Sequence, residues 1–208
     1  VTSSGPPAGG VPDLAFAQGL LDFDFPKAQV QLSEAVLERG PRRGIEASMW
    51  LGKGLGLAGR GAWDSALVAM DRWVGQSTGG SADEAPDAGL VTYGLAVAAV
   101  RVGGASPEEA SARRPLAVAS PAASTPEGLA ELAWLDGLLA HAMGDSAGLV
   151  EARRAVQGSV SSFSVWLDRS LAAFERELAG ERGPAGAALA RLETESAETR
   201  EHESYGWS

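Results

Sequence analysis

The 208-residue chain has no cysteine and no asparagine, and only two histidines, two lysines, one isoleucine and six threonines. Each shortage excludes something. Without cysteine there are no disulfides, thiolate metal sites, iron–sulfur clusters or cysteine nucleophiles. With only His141 and His202, most histidine-based metal centres lack ligands, so no metal and no cofactor is expected. Without asparagine there is no N-glycosylation acceptor. Val, Thr and Ile together supply 22 residues against 61 Ala plus Leu, a ratio that starves a sheet and favours helix, so the expected fold class is all-α. The most apolar run, Gly89 to Val102, stops short of the 18 or more residues that a membrane span needs, and no membrane insertion is expected. Seventeen basic against 27 acidic residues give a formal charge of −10. Such a field repels phosphate backbones, which argues against a nucleic-acid partner and favours a basic or neutral ligand.

What is present is helix punctuation, with proline just inside helix starts and glycine near helix ends. Ser106-Pro107-Glu108-Glu109 has the form of a complete capping box, and Thr125-Pro126-Glu127 repeats the cap and the proline. Gly40-Pro41 and Gly103-Gly104 read as stops followed by turns. Helices are expected at 12–22, 26–39, 43–59, 62–75, 87–102, 107–118, 126–143, 146–157, 161–180 and 184–201, ten helices pairing into five hairpins. Residues 1–11, rich in Gly, Pro and Ser, read as a flexible linker. The repeat domain is expected over 12–202, with 203–208 a tail or the start of a truncated further repeat; Trp207 would dock on a missing next repeat, the preferred reading, or on a partner. A start without Met reads as a piece of a longer chain, in the cytoplasm or, after removal of an N-terminal segment, outside it.

The hairpin turns look alike. Phe23-Asp24-Phe25-Pro26-Lys27-Ala28 recurs as Gly61-Ala62-Trp63-Asp64-Ser65-Ala66 and, more loosely, around residues 104–110, 144–149 and 182–187. Taking Ala28, Ala66, Ala110, Leu149 and Ala187 as equivalent gives spacings of 38, 44, 39 and 38, a drifting period. Trp50, Gly54 four residues later, and Ala66 twelve after that, with Met70 and Trp73 beyond, resemble a tetratricopeptide repeat. Gly137 and Leu149 keep the twelve-residue gap in repeat four, and Ala98 stands where repeat three would have glycine. The resemblance implies a superhelix of α-hairpins in which Gly54, Ala66 and Gly137 allow close helix crossing while Trp50, Phe163, Trp166 and Phe174 fill the layers between. It implies a concave groove lined by the first helix of each hairpin. By that resemblance Ser48, Leu51 and Leu55 face the groove in repeat two and Glu131, Trp134 and Leu138 in repeat four, with His141 one turn further on.

Other motifs read as packing or surface. Gly54-Leu-Gly56-Leu-Ala-Gly59 has the G-x-G-x-x-G spacing of dinucleotide sites, but a helix and not a strand precedes it, so close packing is expected. Gly75-Gln-Ser77-Thr-Gly79 has the spacing of a hydrolase nucleophile elbow, yet a loop follows, and it reads as an inter-repeat linker. His141 and Asp145, four residues apart, read as a partly exposed pair near a helix end. The doublets Arg42-Arg43, Arg113-Arg114 and Arg153-Arg154 read as solubilising helix edges; two of them sharing a groove would hold an acidic peptide or phosphate. The expected function is a non-catalytic protein-binding or scaffolding module with a protein or peptide partner. End repeats are covered by the chain itself, by a second copy or by further sequence. The alternatives are a regulatory or sensory domain of a larger bacterial signalling or transcription-regulating protein, as repeats of this kind often are, and, third, a hydrolase.

Overall fold

The computed structural model describes residues 25–40, 43–77, 87–159 and 164–205. The expected linker, the helix at 12–22, Phe163 and Trp207 lie outside the described residues, as do the side chains of Ala28 and His202. Among the described residues the fold is all-α. In chain order the helices are α1 (Phe25–Leu37), α2 (Arg43–Gly59), α3 (Trp63–Ser77), α4 (Ala88–Arg101), α5 (Pro107–Ser111), α6 (Arg114–Val118), a 3-10 turn (Pro121–Ser124), α7 (Pro126–Met143), α8 (Ser146–Gly158), α9 (Ser164–Leu178) and α10 (Arg182–Tyr205). The chain divides into two compact units, with the boundary in sequence between Leu116 and Ala117.

Three expectations shift. The helix expected at 107–118 is broken at Ala112–Arg113 into α5 and α6, because the ring of Pro115 removes the donor that would bond to Ser111. The last helix starts at Arg182 and runs to Tyr205, into the expected tail. Ser77 is not in a loop but is the buried last residue of α3.

In the first unit α1 packs on α2, α2 on α3, α3 on α4 and α4 on α5. The buried side of α3 reads Ala66, Leu67, Ala69, Met70, Trp73, Val74 and Ser77, the i, i+3, i+4, i+7 stripe of an amphipathic helix. Its cluster of Met70, Trp73, Val74 and Ala88 is flanked by Trp50 and Leu51 of α2 and by Val91 and Leu95 of α4. The glycines of the G-x-G-x-x-G stretch lie inside α2 and serve its two crossings. A β-carbon on Gly54 would stand 2.6 Å from Met70 Sδ, and one on Gly56 would stand 2.8 Å from the Pro26 carbonyl oxygen of α1. In the second unit α7 packs on α8, and α9 packs on α7, α8 and α10. A β-carbon on Gly137 would stand 2.7 Å from Leu171 of α9 and 3.1 Å from the Ala152 β-carbon of α8.

The turns repeat more closely than the sequence shows. At the ends of α2, α4, α7 and α9, glycines at 61, 103, 144 and 180 take positive φ, between 70° and 86°. At each, the amide one residue beyond the glycine bonds back to the carbonyl five residues earlier: Ala62 to Leu57, Gly104 to Ala99, Asp145 to Ala140, Glu181 to Arg176. The next helix then opens with the same bond, from Ala66 to Ala62, Ala110 to Ser106, Leu149 to Asp145 and Ala185 to Glu181. Ala66, Ala110 and Leu149 are fully buried and Ala185 is 2% exposed. Ala185 therefore replaces Ala187, which is exposed, as the equivalent residue of the last hairpin. Counting back seven from each turn glycine gives Gly54, Ala96, Gly137 and Ala173, all buried; Ala98, expected to play this part, is exposed.

The expected caps form. Ser106 Oγ accepts from the Glu109 amide at 3.2 Å while Glu109 Oε2 accepts from the Ser106 amide at 2.7 Å. Because α5 has only five residues, this box holds much of it, and Ser106→Ala should lower stability by about 1 kcal/mol in urea unfolding. Thr125 Oγ1 accepts from the Gly128 amide at 3.0 Å, and Asp145, not expected as a cap, accepts from the Gly148 amide at 3.0 Å.

Candidate functional site

The seven residues assigned to the groove fall in two sets, one in each unit. On α2, Ser48 is exposed, Leu51 is half-buried against the Trp73 cluster, and Leu55 is 41% exposed. Ile45, 51% exposed, lies on the same side of the helix, since 45, 48 and 55 fall within a narrow arc of the 3.6-residue period. Ile45, Ser48 and Leu55 thus form one exposed stripe with an apolar residue at each end.

On α7, Glu131 is exposed, whereas Trp134, Leu138 and His141 turn inward. Trp134 Nε1 donates to Ser170 Oγ of α9 at 2.8 Å, and that hydroxyl donates to the Leu167 carbonyl. Trp134 also meets the ring of Trp166 at 5.9 Å between centroids. His141 Nε2 lies 3.2 Å from Glu177 Oε2, and its ring packs on Phe174 at 4.5 Å. Asp145, the expected partner of His141, is engaged as the cap of α8. These contacts join positions 36 residues apart, Trp134 to Ser170 and His141 to Glu177. The same interval separates the turn glycines Gly144 and Gly180, so equivalent positions of consecutive hairpins touch. Phe174, expected to fill a layer, and Ser170 and Glu177, not singled out by the sequence, carry on α9 the i, i+4, i+7 spacing of Trp134, Leu138 and His141.

In two of the arginine doublets one residue staples helices; Arg42 and the side chain of Arg43 lie outside the described residues. Arg113 Nε and Nη2 grip Asp71 of α3 at 3.0 and 2.7 Å, a paired contact of the kind guanidinium geometry favours. Arg153 of α8 reaches Asp168 at 2.7 Å and Glu175 at 2.6 Å, two turns apart on α9. Its bond to Asp168 and, after the opposing effect of burial, its bond to Glu175 raise the Arg153 pKa further above its ordinary value.

Between α9 and α10 lies an open groove of about 190 Å³, lined by Arg169, Arg176 and Arg191 over a floor that includes Ala172, Ala188 and Leu192. Glu195 lies across the Arg169 guanidinium, with Oε2 2.7 Å from Nη1 and Oε1 3.0 Å from Nη2. That hydrogen bond, with the nearby charges of Arg169 and Arg191, holds the Glu195 carboxyl below the usual carboxylate range.

Features associated with catalysis are differently placed. Ser77 Oγ is buried at a helix end without a hydrogen-bond partner among the described residues, not raised on a strand-to-helix turn. Among the described residues no group of three or more His, Asp or Glu side chains could hold a metal ion, and no helix is long and apolar enough to cross a membrane. Comparison with protein-family models, with curated proteins and with solved structures finds no match to this chain.

Proposed function

We propose that the chain is a non-catalytic protein-binding module whose hairpins stack as a tetratricopeptide-like superhelix and use the exposed face of their first helices to hold a peptide. The observation that carries this reading is the fourfold recurrence of one joint, a positive-φ glycine, a buried small residue seven before it and a buried residue at the fourth position after the next helix cap. A single hairpin of this kind leaves apolar faces uncovered, and stacking on the next one buries them, as in solenoid proteins. Contacts between equivalent positions of α7 and α9 fit the same logic. The Ile45, Ser48 and Leu55 stripe supplies what a peptide would grip, since large apolar side chains left in water are favourable to cover.

The test is an array of nine-residue peptides, in sets of acidic, basic and uncharged sequence matched for Leu and Ala content, probed with the full chain. Some peptides should bind, and a subset should bind at least tenfold more weakly to an Ile45→Arg, Leu55→Arg variant of unchanged helicity. An array blank for the unmodified chain would reject the reading.

A further inference from the structure

Helix α9 sorts its charges by edge. Asp168 and Glu175, on one edge, are both held by Arg153 of α8, and Glu177, on another side of the helix, is held by His141 of α7, so these acids are answered from within the fold. Arg169 and Arg176 each follow one of those first two acids by a single residue. They stand two helical turns apart on the adjacent edge, where Arg191 of α10 joins them around the groove. Arg169 is occupied by Glu195. Among the described residues neither Arg176 nor Arg191 holds an ion pair, although the charge of Arg191 also acts on Glu195.

At the edge of the groove the Arg169–Glu195 contact shows the chemistry a groove arginine favours, a carboxylate from the neighbouring helix held by two guanidinium nitrogens. Beside it, Arg176 and Arg191 offer the same chemistry over a floor of Ala and Leu side chains that suits aliphatic groups. We infer that this groove docks an acidic peptide segment of a partner protein, one that carries carboxylates next to small aliphatic side chains. The chain's charge of −10 does not prevent this, because charges beyond about 8–10 Å are screened at ordinary salt while a guanidinium in contact is not. Docking here would give the module a second surface, selective by charge, on a hairpin flank apart from the α2 stripe. The inference rests on the protein-binding reading and depends on different residues from it.

The same peptide array tests it, probed with the full chain carrying Arg176→Glu and Arg191→Glu, and separately with the milder Arg176→Gln and Arg191→Gln pair, each checked for unchanged helicity. Acidic peptides should bind the unmodified chain and should lose at least tenfold in affinity in both variants while keeping it in the Ile45→Arg, Leu55→Arg variant. Acidic peptides that bind the arginine variants undiminished, or hits confined to the basic and uncharged sets, would overturn the inference and leave the protein-binding reading standing. An array with no hits at all would overturn both.

Discussion

Gly137→Val is expected to destabilise the second unit by about 2–3 kcal/mol in urea unfolding. Valine is a β-branched residue placed in a helix, which costs a few tenths of a kcal/mol, and it removes the roughly 1 kcal/mol handicap of glycine in a helix interior. On propensity alone the substitution would therefore be neutral or favourable. Packing reverses the sign. The added β-carbon would stand 2.7 Å from Leu171 Cδ2 and 3.1 Å from the Ala152 β-carbon, so α8 and α9 would both have to give way. Leu171 is fully buried and cannot swing into solvent. Shortening it with Leu171→Ala, which alone should cost about 2–5 kcal/mol, makes room for the valine. The double variant should thus be more stable than the two single effects added together, by roughly 1 kcal/mol or more. Ala98→Leu provides the contrast: that alanine faces water, and its substitution should change stability by less than about 0.5 kcal/mol. Strict additivity at Gly137 and Leu171 would mean that the two helices do not cross there.

These positions also mark how far the sequence could be read. Helix ends were legible because they are local, fixed by where proline lacks a donor and glycine admits positive φ. Pro126–Met143 has the expected bounds, and Ser106 caps α5 with the expected bonds. Register within alanine-rich helices was not legible. Around residues 96–99 and 185–188 several alanines stand within one turn, and composition cannot tell the buried one from its exposed neighbour. Only the turn glycine sets the count, and in the third and fifth hairpins the sequence offers two candidates each, Gly103 or Gly104 and Gly180 or Gly183.

Side-chain partners were hidden for a different reason. Asp145 looked available to His141 at helical spacing, but an aspartate just before a helix is better used on its free amides, which left the histidine to Glu177 on another helix. Arg153 sits beside Glu151 in sequence yet bonds residues 15 and 22 positions on. The groove arginines escaped notice because two of them share a helix with three acids, Asp168, Glu175 and Glu177. Their separation onto an edge of their own becomes visible only once α7 and α8 claim the acids.

Trp73→Ala should be the costliest truncation among the described tryptophans, removing about 3–5 kcal/mol. Trp73 is 5% exposed and belongs to the cluster with Met70, Val74 and Ala88, against which side chains of α2 and α4 also pack. Its loss leaves a cavity among three helices held at close spacing by Gly54, so collapse to refill the space is restricted. Against a total stability of roughly 5–15 kcal/mol, a loss of that size should move the urea midpoint far to the left, as followed by far-ultraviolet circular dichroism. Trp166→Ala is the natural comparison. Trp166 is 37% exposed, and its chief described contact is the ring of Trp134, so it should cost about 0.5–1.5 kcal/mol. The tetratricopeptide-like spacing places a large filler at Trp73 and a layer residue at Trp166, and gives no reason to rank them. The ranking follows from the helices around each, three enclosing the first and an open flank beside the second. If Trp166→Ala proved the more damaging, the centre of the fold would lie in the second unit's aromatic pair and not in the α2–α4 cluster.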